Sequence, residues 1–213
     1  MTTSTTEQQA RERQQLAEDD PARRVQYLCE AAEYWHMSGA DDRARELFER
    51  ALVEDGHAAG DERVAYARFL LDVGDSARAH GLLDELWHSR EVDGFGYHAA
   101  GELFEQDIGD LAAAMRWYTS GIVRLAGPDA AEGIESDVWI ELLMGARRRV
   151  RRELGEPADE WDELWDAASR ATADEDTAVA AQGPDFTSTP GRNDPCSCGS
   201  GHKYKKCCGA PGA

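Results

Sequence analysis

The sequence predicts an all-α chain: a solenoid of helical hairpins, a flexible linker, and a small C-terminal motif held by a metal. Three observations predict it. Gly39, Gly74 and Gly109 recur at a spacing of 35 residues, each closing one apolar-periodic stretch and opening another. Small and large residues keep matched offsets around those glycines. Four of the five cysteines fall within 13 residues near the C-terminus, beyond a stretch with no apolar period.

Residues 1–20 are rich in Thr, Gln and Glu and show no apolar stripe, so they read as disordered, with some helix from Glu7 onward. Residues 21–171 form the helical body. A glycine just past the last periodic residue is the mark of a helix ending in a left-handed turn. Asp41, Asp75 and Asp110 follow the three glycines and suit the start of the next helix. Ala44, Ala79 and Ala114 sit five residues past each glycine, and Phe48, Leu83 and Tyr118 four further on. Upstream, Trp35, Leu70 and Phe104 hold a comparable large position, with Ala32, Ala67 and Gly101 three residues before them. Small residues let paired helices approach, and large ones fill the layer between pairs. The third unit carries one extra residue in its turn and has Gly121 at a small position.

A helix-turn-helix unit near 34 residues is the mark of a tetratricopeptide array, and these positions resemble that family over about half the chain. The resemblance implies a solenoid whose inner helices line a binding groove. Glu33, His36, Arg68, Leu71, His98 and Glu102 are the positions expected there, with Cys29, Val64 and Glu105 beside them. Family members that clamp a carboxylate tail use several cations in the groove. This one offers Arg68 alone, so a basic or apolar peptide is the expected occupant. Residues 136–154 and 159–171, broken at Gly155-Glu156-Pro157, read as a capping pair. Residues 172–190 read as the flexible linker.

Charge divides the chain. It carries 23 Lys and Arg against 42 Asp and Glu, a formal net charge of -19. The last 23 residues carry +3, so the first 190 carry -22. An acidic body is a poor general binder of nucleic acid or of anionic membrane. Mean hydropathy is -0.62, and no run reaches the roughly 18–20 apolar residues of a spanning helix. The N-terminal 20 residues lack an apolar core, so the chain reads as cytoplasmic, without a secretory leader. Clustered cysteines in such a chain read as a metal site before they read as disulfides.

Residues 191–209 hold Cys196-Ser-Cys198, eight residues, then Cys207-Cys208. This stretch resembles the SEC-C motif, the zinc-binding C-terminal motif of the translocase ATPase SecA. The resemblance implies one structural Zn²⁺ on Cys196, Cys198, Cys207 and Cys208 and a role in contacting partner proteins. Four thiolates suit tetrahedral zinc, and a closed site leaves no position for a substrate. Rival readings are a disulfide pair, an iron site, and His202 replacing one cysteine. All three lysines, Lys203, Lys205 and Lys206, lie inside the motif. With Arg192 and Tyr204 they either form a contact face for an acidic partner or only balance the thiolates. Arg147–Arg152 holds five arginines in six positions, read as paired within the acidic body or, alternatively, as an RNA contact.

No nucleophile elbow, phosphate loop or zinc-protease helix occurs, so the chain is not expected to be an enzyme. The functional expectation is a zinc-binding adaptor between proteins, at chaperone, secretion or ribosome surfaces. The alternative is an RNA-associated protein using Arg147–Arg152 and the basic tail.

Overall fold

The computed structural model describes residues 5–89, 92–127, 137–167, 170, 193 and 202–207. The chain divides into two units, Met1–Trp165 and Asp166–Ala213. The described residues are helical, with no β-strand among them. The linker expected over 172–190 lies outside them.

In the first unit, α1 (Thr5–Asp19) is followed by a 3-10 turn (Pro21–Arg23), α2 (Arg24–Met37), α3 (Asp41–Ala51), α4 (Glu62–Asp72) and α5 (Ser76–His88). Then come α6 (Gly94–Glu102), α7 (Leu111–Ala126) and α8 (Val138–Leu154). A further helix, α9, is described over 160–167. Each helix packs on its chain neighbour, α2 on α3, α4 on α5, α6 on α7. The first helices of these pairs also meet one another, α2 with α4 and α4 with α6.

The three glycines do what their spacing predicts. Gly39, Gly74 and Gly109 adopt φ of +80°, +84° and +78°. Beyond the first two, Ala40 and Asp75 return their N–H groups to Trp35 and Leu70 at 2.9 and 2.7 Å. Asp75 and Asp110 cap the helices that follow, accepting from the N–H groups of Arg78 and Ala113. The first unit departs from this. Ala40 holds the cap position there, and Asp41 lies inside α3, where it meets His36 Nδ1 at 2.7 Å.

The extra residue of the third unit becomes a π-helix. α6 continues as Leu103–Ile108 with that winding, and Asp110 N–H reaches back to Phe104 O across six residues instead of five. One inserted residue widens one turn of helix. The register shifts with it: Leu103 is fully buried and Phe104, expected at that place, is half-buried. Gly101 is small by necessity, since a Cβ there would meet the Tyr118 ring at 2.2 Å. Gly121 is small for a similar reason, a Cβ meeting Leu143 and Tyr97, both at 2.8 Å.

Over Thr5–Asp19 a full helix stands where the sequence reads as disordered with some helix from Glu7 onward. α1 packs on α2 with Ala10 and Ala17, both fully buried. Its other ties are polar: Gln14 accepts from Trp35 Nε1 at 2.7 Å, and Arg13 pairs with Glu30 at 3.0 Å. A helix that docks through alanines and hydrogen bonds carries no apolar stripe to be read.

Candidate functional site

Three places carry the expected chemistry: the cysteine motif, the face of α2, α4 and α6, and the arginine run of α8. In the second unit, Lys203 starts a 3-10 turn over Tyr204–Lys206, and Cys207 ends it, its N–H bonded to Tyr204 O at 3.1 Å. In this winding, residues three apart share an edge. Lys203 and Lys206 therefore lie together, and both are exposed. Tyr204, Lys205 and Cys207 are half-buried. The turn thus leaves Lys203 and Lys206 open to solvent and Cys207 partly covered. Cys196, Cys198, Cys208 and Arg192 lie outside the described residues. Four thiols are, by their chemistry, donors of the kind that would suit zinc.

On the face of α2, α4 and α6 the expected residues come partly together. Arg68 Nε lies 3.6 Å from Asp107 Oδ2 of the π-helix. It also acts on Glu33. Burial pushes the Glu33 carboxyl above its usual range; Arg68 opposes the rise and Glu30 adds to it. Glu33 nonetheless stays exposed to solvent. His36 bridges three elements. Its Nδ1 meets Asp41, its Nε2 lies 3.5 Å from Asp72, and its ring stands edge-on to Phe69. His98 lies 3.7 Å from Glu102. Leu71 is half-buried beside them.

Cys29 and Val64, expected beside these residues, are core instead, each 3% exposed. Burial pushes the Cys29 thiol far up, with Glu62 and Glu33 adding to it, so Cys29 is not a reactive thiol. Glu105 points to α7 and α8. It accepts Tyr118 Oη at 2.7 Å and a two-pronged Arg149 guanidinium at 2.7 and 2.8 Å. Arg149 and Tyr118 hold its carboxyl below the usual range against the effect of burial.

The arginine run is spent inside the body. Arg147 is 4% exposed; it grips Asp159 with two nitrogens and donates to Thr119 Oγ1 at 3.0 Å. Arg151 joins it on Asp159 at 2.6 Å, and Arg148 lies 3.4 Å from Asp162. Asp159 and Asp162 exchange bonds through their N–H groups, a capping box that starts α9. Hydrogen bonding from Arg147 holds the Asp159 carboxyl down at about 2. Arg152 donates to Arg148 O.

One further cluster escaped the sequence reading. The ligand atoms of His57, Asp61 and Glu62 lie within 4.8 Å of one another. Both carboxylates already serve the α3–α4 loop. Asp61 is gripped by Arg63, with nitrogens at 2.8 and 2.6 Å, and Glu62 accepts Ala58 N–H at 3.1 Å.

Comparison with known proteins bears on the tail first. Residues 192–210 match the family model of the SEC-C motif. The chain is similar to the protein translocase subunit SecA of Geobacter sp. strain M21, 29% identical over 170 residues that cover 78% of this chain and 16% of that protein. SecA of Prosthecochloris aestuarii is 32% identical over 142 residues, 64% of this chain and 13% of its own length. SecA of Chlorobium phaeobacteroides strain BS1 is 90% identical over only 21 residues, 10% of this chain. The chain thus spans about one sixth of the length of the curated relatives it matches. No solved structure is similar to it. No described helix is long and apolar enough to cross a membrane.

Proposed function

We propose that this chain is a non-enzymatic, zinc-binding adaptor of the cytoplasm. A tetratricopeptide-like body holds one protein, and a SEC-C tail holds another. The observation that carries the reading is the tail itself: a SEC-C motif over 192–210 whose only described turn sets Lys203 and Lys206 on one exposed edge beside Cys207. One Zn²⁺ on Cys196, Cys198, Cys207 and Cys208 organises that turn. A segment this short has no core, so the metal supplies its folding free energy.

The rigid basic edge, with Arg192 and Tyr204 beside it, receives an acidic protein surface. Similarity to translocase subunits favours a partner met in protein secretion, among chaperones or at the ribosome. On the body, Glu33, His36, Leu71, His98 and Glu102 receive a basic or apolar peptide. The one cation of that face, Arg68, is bracketed by Glu33 and Asp107, which disfavours an acidic one. The pairing of Arg147, Arg148, Arg149 and Arg151 with carboxylates of the body favours this reading over RNA contact by Arg147–Arg152.

Affinity capture with the full chain, the chain lacking residues 191–213, and the Lys203/Lys205/Lys206→Ser variant tests the reading. The adaptor loses one set of partners on truncation and in the triple variant, and keeps another. Identical capture by all three chains overturns it.

A further inference from the structure

We draw no further inference here: the strongest candidate, the cavity of about 830 Å³ between α8 and α9 lined by Val138, Leu142, Gly145 and Trp165, carries none, because nothing in the structure shows what covers it.

Discussion

The chain has two basic runs, Arg147–Arg152 and Lys203–Lys206, and they have opposite fates. The first lies on α8 inside an acidic body and is consumed. Arg147 is almost wholly buried and forks Asp159, Arg151 joins it there, and Arg149 reaches across to Glu105. The second lies on a single 3-10 turn whose outer edge, Lys203 and Lys206, faces solvent. In sequence each run allows two readings, pairing within the chain or contact with a partner. What separates them is the supply of carboxylates in the adjoining sequence. α9 brings Asp159 and Asp162 to the first run, whereas the last 23 residues hold a single acid, Asp194. The residue types fit these fates. Guanidinium forks suit fixed carboxylates, and ammonium groups suit a mobile, solvated charge that a partner meets on arrival.

The contrast breaks most readily at Arg147. Arg147→Met removes the cation beneath Asp159 and Asp162 and strands buried charge, so stability in urea should fall by about 3 kcal/mol. A loss under about 1 kcal/mol would place Arg147 among ordinary surface ion pairs. Acid probes the same cluster more gently. The folded Asp159 carboxyl titrates at about 2, below its unfolded range. Its contribution is therefore complete above about pH 4 and is lost as pH falls toward 2, amounting to at most about 2 kcal/mol. Asp159→Asn should flatten the loss of urea midpoint between pH 5 and pH 2.5. Equal slopes in the two proteins would remove Asp159 from the account. The smallest effect belongs to the tail. Lys203/Lys205/Lys206→Ser should leave the body's stability within about 0.5 kcal/mol and slow association with the tail's acidic partner, most at low salt. A drop in body stability would show that these lysines serve the helices.

Much of the fold was legible because punctuation by glycine is local. Gly39, Gly74 and Gly109 mark their turns through backbone conformation alone, and all three adopt the left-handed region. Gly101 was legible as a small position, and the Tyr118 ring across the pair explains why. The inserted residue before Gly109 was visible as a count, but its absorption as a π-helix was not, since a loop would fit the same count. The docking of α1 was not legible because it buries two alanines and otherwise binds through Gln14 and Arg13. Partners were the least legible feature. That Arg149 would take Glu105, 44 residues away, depends on the packing of α8 against α6 and α7. The cysteine motif is the reverse case. Its spacing alone carries its chemistry.

The central claim is that the two basic runs belong to separate devices, one structural and one organised by metal. Titration of the zinc-loaded full chain with a chelator, followed residue by residue through amide NMR, tests this most directly. The account predicts about one zinc released per chain, collapse of the signals of Lys203–Cys207, and unchanged signals from α2 through α8. A tail whose signals ignore the chelator, or helical signals that move with it, would contradict the account.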